Sequence, residues 1–255
     1  MLFAANGLIG RPVAASDGRI GAVKDFLLDD RRKVRWMVVD TGQWLPGRKV
    51  LIHPSAIVPI HLPPRPAIPM LSFGDPLEVS VNLTVRQVEA SPDAGVDQPV
   101  TDELERRLFD HYRWDPFWSA ADSEAAAPSS PPTAAGTEAD REGEDGPGLG
   151  SAGAMKGFAV HGTDGEIGSI DNVFIDDVRW SVRYLVVATR GWLHAKLVQI
   201  PLHVVKDIDW KAQAATLRVT RERISSAPAW DPLVMVDEIA EERLRGHFGP
   251  PGRGA

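Results

Sequence analysis

Cysteine is absent from the 255 residues. That excludes a disulfide framework, a thiolate zinc site, an iron–sulfur cluster and a cysteine nucleophile, and it fits a reducing, cytoplasmic setting. No run of 18 or more apolar residues occurs, so no membrane-spanning helix is expected. The longest nearly uncharged stretch, Val50 to Pro64, is interrupted by His53, Pro54, Pro59 and His61. The opening Met1-Leu2-Phe3-Ala4-Ala5-Asn6 lacks a basic n-region, so no secretory signal is expected. A basic surplus is missing too. The net charge is −7, and Ser119 to Ala154 holds seven acids against one base, Arg141. The remainder is close to neutral, which argues against direct binding of nucleic acid.

Catalytic signatures are also missing. There is no Gly-x-Ser-x-Gly elbow. The nearest glycine cluster, Gly146-Pro147-Gly148-Leu149-Gly150, has no Lys-Ser/Thr after it to cradle a phosphate. None of the seven histidines forms a His-x-x-x-His or His-x-His pair. No catalytic residue, metal ligand or cofactor is assigned, and the chain is not expected to be an enzyme.

What the sequence does contain is repetition. Asp17-Gly18-Arg19-Ile20-Gly21 matches Asp164-Gly165-Glu166-Ile167-Gly168. Leu28-Asp29-Asp30 matches Ile175-Asp176-Asp177, and Val34-Arg35-Trp36-Met37-Val38-Val39 matches Val182-Arg183-Tyr184-Leu185-Val186-Val187. Trp44-Leu45 matches Trp192-Leu193, Arg48 faces Lys196, and Pro54 faces Pro201. Further on, Leu83-Thr84-Val85 is aligned with Leu217-Arg218-Val219, and Ala90-Ser91-Pro92 with Ser226-Ala227-Pro228. Asp102-Glu103-Leu104 leading to His111-Tyr112 is aligned with Asp237-Glu238-Ile239 leading to His247-Phe248. Such self-similarity marks a duplicated unit. Three segments follow: a first unit over 1–118, an acidic Ala/Pro/Gly-rich linker over 119–154, and a second unit over 155–255. The linker holds no aromatic or β-branched apolar residue, so it lacks the burial that would offset its ordering entropy.

Within each unit, Asp17-Gly18 and Asp164-Gly165 predict hairpin turns. Ile20–Leu28 and Ile167–Ile175 predict long strands, with Gly21 and Gly168 marking a bulge or a close backbone approach. Val34–Val39 and Val182–Val187 are apolar on both faces, as in strands covered on both sides. Asp29-Asp30 and Asp176-Asp177 fit turns better than acid–base pairs, with Arg35 and Arg183 as their ionic partners. Val50–Ile52 and Leu197–Ile200 are further strands, and Glu78–Val85 and Thr216–Val219 supply a last one. Thr101 and Asp237 are expected N-caps of closing helices. His111 and His247, at the helix ends, suit the helix dipole. Short strands with frequent turns indicate a mainly β fold of two small barrels in tandem, each followed by a short C-terminal α-helix.

Gly10-Arg11-Pro12-Val13, Asp17-Gly18-x-Ile20-Gly21-x-Val23-x-Asp25, Arg35 to Gly42 and Val50-Leu51-Ile52-x-Pro54 resemble the PRC-barrel family. That is the fold of the cytoplasmic domain of the photosynthetic reaction centre H subunit. Trp44 to Ile52, Ala90-Ser91-Pro92 and His111 to Trp118 resemble a bacterial subfamily of soluble proteins with two such domains. The resemblance implies the fold, not membership of a reaction centre, since no anchor is found here. The second unit departs from the pattern at Trp192-Leu193-His194-Ala195-Lys196 and at His247-Phe248-Gly249-Pro250-Pro251.

The most suggestive constellation is a Trp-Leu pair with a base four residues after the Trp: Trp44, Leu45 and Arg48, repeated as Trp192, Leu193 and Lys196. Trp beside Arg suits a protein interface; the other reading has the Trp plugging the barrel mouth or packing on the closing helix. Together these features point to a non-catalytic protein-binding or scaffold module whose partner is another protein. Its two units would form an intramolecular pseudo-dimer, or the chain a homo-oligomer. The alternatives are an accessory role in RNA processing or ribosome assembly, and binding of a small ligand in the cleft between the barrels.

Overall fold

The computed structural model describes residues 2–46, 48–59, 78–95, 99–114, 148–190, 196–230 and 238–250. In the first half these form β1 (Leu2–Ala4), α1 (Ala5–Leu8), β2 (Pro12–Ala15), β3 (Gly18–Leu28), β4 (Val34–Asp40), β5 (Lys49–Ile52), β6 (Val79–Ser80), α2 (Val85–Glu89) and α3 (Asp102–Tyr112). In the second half they form β7 (Gly150–Ser151), β8 (Ala159–Gly162), β9 (Gly165–Asp176), β10 (Ser181–Thr189), β11 (Leu197–Pro201), β12 (Val205–Asp209), β13 (Ala214–Leu217), α4 (Arg221–Ser225) and α5 (Glu238–Phe248). The fold is mainly β. Among the described residues no helix is long and apolar enough to cross a membrane.

Two sheets result, with the orders β5-β4-β3-β2-β6 and β11-β10-β9-β8-β13-β12. Five strands correspond in order, down to the parallel pairs β2–β6 and β8–β13, while β12 has no counterpart among the described residues. Neither sheet closes by hydrogen bonds among the described residues. In the second half the chain itself spans the seam, running from β11 through a 3₁₀ turn at Leu202–Val204 into β12. Among the described residues the curled sheets thus show no closed barrel, where two small barrels were expected.

Sequence features explain the curl. Gly21 has φ +148°, and a Cβ there would lie 2.1 Å from the Asp40 carbonyl oxygen; at Gly168 the clash is 2.0 Å with the Ala188 oxygen. Only glycine lets β3 and β9 approach their neighbours this closely. Asp17 and Asp164 each turn a carboxylate back onto a helix, accepting the Val85 and Arg221 amides at 2.7 and 2.8 Å. Thr84 and Thr220 cap α2 and α4. This places Thr84 opposite Thr220 and Leu83 opposite Val219, two residues away from the Leu83–Leu217 alignment drawn from sequence. The expected strand Glu78–Val85 is reduced to Val79–Ser80, because the chain turns at Asn82 into α2.

The halves are joined by exchange. β1 leaves its own sheet and pairs antiparallel with β9, Phe3 opposite Ile175; β7 pairs with β3, Gly150 opposite Leu28. These two registers are equivalents of each other at the repeat spacing of 147. The hairpin tips meet in the same reciprocal way: the Val34 amide donates to the Trp180 carbonyl at 2.7 Å and the Val182 amide to the Arg32 carbonyl at 3.0 Å. Arg32 and Trp180 both take left-handed backbone (φ 62° and 48°) to allow it. Asp25 accepts the Gly153 amide at 2.9 Å and the Ser151 hydroxyl; its counterpart Asn172 accepts the Asn6 amide at 3.3 Å. Gly148 to Ala154, read from composition as linker, thus belong to the second half's crossing segment, with Ala152 buried. Residues 119–147 lie outside the described residues.

One large apolar cluster runs through both halves, and a smaller one gathers Phe174, Tyr184, Val186 and Leu244 beneath α5. In the large cluster Phe3 packs against Phe26 (6.0 Å between centroids) and edge-on to Trp180 (5.8 Å). At the equivalent position Gly150 leaves room for the ring of Trp210, which would sit 2.1 Å from a Cβ there. Phe3→Ala is expected to cost about 3–5 kcal/mol by opening a cavity in this shared core. Urea denaturation followed by tryptophan fluorescence measures it, and the loss should appear in one transition involving both halves.

Candidate functional site

The loop joining β4 to β5 carries the sequence-derived candidates. Trp44 lies 38% exposed, and its indole Nε1–H donates to the Ile20 carbonyl at 3.0 Å. One edge of the ring is thus tied to β3, and somewhat over a third of the residue faces solvent. Leu45 is half-buried, and its carbonyl accepts the Thr41 hydroxyl at 3.1 Å. Arg48 turns inward to the turn after α2, donating to the Glu89 carbonyl at 2.8 Å and to that of Ser91. Lys196 does the same in the second half, bonding the Ser225 carbonyl and, at 2.8 Å, that of Ala227. The two bases latch a loop to a helix end, which leaves little of either for an outside partner. Trp192 and Leu193 lie outside the described residues.

A second constellation lies beneath α3, and sequence reasoning missed it. β4 is out of register with β3 between Leu27 and Leu28, which pair with Trp36 and Val34 and leave Arg35 as a bulge. A bulge re-aims a side chain, so the neighbours Arg35 and Trp36 both reach Glu105. The Arg35 guanidinium donates to Glu105 Oε2 at 2.8 Å and the Trp36 indole to Oε1 at 2.7 Å. All three are buried, Glu105 to 1% exposure. Arg35 therefore pairs with a helix acid, not with the Asp29-Asp30 turn. The turn acids serve their own hairpins: Asp29 accepts the Lys33 amide, and Asp176 those of Val178 and Arg179. Arg183 does keep Asp176 as partner, at 3.5 Å.

Rings close over this triad. Trp36 lies edge-on to Phe109 at 5.6 Å and to His53 at 5.8 Å; Trp114 leans on Trp36, His53 and Phe109 at 5.8–6.3 Å and stacks on Tyr112 at 4.2 Å. Trp118 lies outside the described residues. His111 does not cap its own helix; its Nε2 meets the Gln87 carbonyl at 2.8 Å, and His247 meets that of Arg223 at 2.7 Å. These bonds pin the closing helices to α2 and α4.

Burial sets the electrostatics. It pushes the Glu105 carboxyl above its ordinary range, against the opposing pull of the Trp36 N–H and the Arg35 guanidinium. Burial, with the Arg35 charge beside it, lowers His53 to about 4. A recess of about 630 Å³ opens between the halves, walled by the Asp29 and Trp180 hairpins and by His53. Among the described residues no group of three or more His, Asp or Glu is placed to hold a metal ion.

The strands β1 to β5, with their glycine close approach and the turn at Pro54, span one recognisable module. Residues 1–61 match the PRC-barrel domain. No curated protein matches the chain. The PRC-barrel match thus covers the Trp44 loop, Arg35, Trp36 and His53, while Glu105 and the second half lie beyond it.

Two outcomes follow for the first half. Glu105→Gln removes the anion from a buried pair and is expected to cost about 3 kcal/mol in chemical denaturation. As pH falls from 6.5 toward 4 the unfolded chain takes up a proton that folded His53 refuses, so stability drops by about 3 kcal/mol across that window. Comparing wild type with His53→Leu at pH 7 and pH 4.5 isolates this share, which the variant should not lose.

Proposed function

We propose that the chain is a non-catalytic binding platform, a scaffold or adaptor made of two PRC-type units in tandem, acting on a protein partner in the cytoplasm. The observation that carries this reading is the reciprocal exchange of β1 and β7 between two like-ordered sheets. Such an exchange ties the two repeats together and would keep the Trp44 loop in a defined place. The PRC-barrel match over residues 1–61 supports the same class of module. So does the use of the prominent polar side chains of the first half: Arg35, Arg48, Glu105 and His111 all hold one element to another.

Trp44 is the contact residue in this proposal. A partly exposed Trp, held at one edge by a hydrogen bond, offers a large apolar area at low entropic cost. Affinity capture followed by mass spectrometry would name the partner, and titration of that partner would then compare wild type with Trp44→Ala. The variant should stay folded and bind at least about tenfold more weakly, as expected for loss of an interface anchor. Equal affinity would remove Trp44 from the interface.

A further inference from the structure

The two halves differ most where their closing helices meet the sheet. Structural equivalence is fixed by the shared caps Thr84 and Thr220 and by the shared latches His111 and His247. At that spacing of 136, Phe109 corresponds to Arg245 and Trp114 to Pro250; on the strands, Trp36 corresponds to Tyr184 and His53 to Ile200. The second half keeps rings beneath its closing helix, Phe174 and Tyr184 with Trp230 and Phe248 beside them, but lacks those that His53, Phe109 and Trp114 supply in the first.

A recess of about 320 Å³ opens there instead. Its wall includes Arg179, Arg183, Tyr184, His203, Glu241 and Arg245. No residue of α3 lines the recess of the first half, whereas α5 supplies part of this wall. Glu241 stands where Glu105 does, but it accepts only the Tyr184 hydroxyl, at 3.0 Å. Arg183 has swung to Asp176. Among the described residues neither Arg179 nor Arg245 has a carboxylate within salt-bridge distance of its guanidinium, and His203 Nε2 is buried with no hydrogen-bond partner. Two guanidiniums without a carboxylate partner, those of Arg179 and Arg245, thus share a wall with Glu241 and with Arg183, which Asp176 holds.

We propose that this recess binds a small oxyanion, the phosphate or carboxylate group of a low-molecular-weight ligand. Guanidinium groups present paired N–H donors that match two oxygens of such a group. A recess of this size holds a few heavy atoms and their water, which suits a small anionic head. Glu241, bonded by the Tyr184 hydroxyl, would disfavour a second anionic group in the recess. This proposal stands independently of the protein-scaffold reading, since the recess lies away from the Trp44 loop.

Calorimetric titration of the full chain with inorganic phosphate and, separately, with succinate, each against chloride at matched ionic strength, tests it. Wild type should show saturable binding of at least one of the two and a matching rise in melting temperature. The arm that saturates identifies the preferred oxyanion. Arg245→Phe, which installs the residue of the first half, should abolish binding. Arg245→Gln, which keeps the shape, should weaken it about tenfold, the worth of a charge-assisted hydrogen bond. Failure of both anions to saturate by about 10 mM, weaker than any specific site of this kind would be, would overturn the proposal. So would equal affinity in wild type and Arg245→Gln.

Discussion

Everything in this molecule depends on two short segments that pair away from home. β1 and β7 have only three and two residues, far too few to persist as strands by themselves. They are held by ladder bonds to the long strand of the other half, and by a side chain as well: Asp25 accepts from Ser151 within β7, and Asn172 from Asn6 just beyond β1. Phe3 then carries the apolar share of the joint, packed between Phe26 of its own half and Trp180 of the other. The joint also places the hairpin tips at Arg32 and Trp180 in contact. Two sheets thereby share one large apolar cluster, and edges that would otherwise invite foreign strands are partly covered.

Inside that shared frame the two copies have diverged. The first half fills the space beneath its closing helix with rings and satisfies a buried Glu–Arg pair with a Trp N–H. The second half keeps the acid and the arginine but separates them, giving Glu241 to Tyr184 and Arg183 to Asp176. Breaking a buried pair in place is costly; re-partnering each member, together with exposure of the site, removes most of that cost. One copy has been kept for packing, while the other has space and spare donors.

Much of this could be read in the sequence. The duplication, the hairpin turns at Asp17 and Asp164, the close approach at Gly21 and Gly168 and the two-faced burial of β4 and β10 all come from local patterns that a pleated sheet enforces. The exchange could not be read. Leu-Phe-Ala and Gly-Ser share no pattern, and the second lies at the end of a stretch whose composition suggests only solvation. Glu105 was hidden for a related reason: in an 11-residue helix bearing three acids in its first turn, nothing local marks one as buried. Its partner Arg35 is redirected by a bulge that the residues around it do not announce. Arg48 and Lys196 show the opposite failure. A cation near a Trp suits an interface, but only tertiary structure reveals backbone carbonyls already waiting for it.

Native-state hydrogen exchange tests the interlock most directly. If the halves form one cooperative body, the Ala152, Gly153, Val34 and Val182 amides should exchange only through global unfolding, with the same free energy as the amides of β4 and β10. Early exchange of these amides through a smaller opening, while β4 and β10 remain protected, would show two independent units touching at a loose joint and would contradict it.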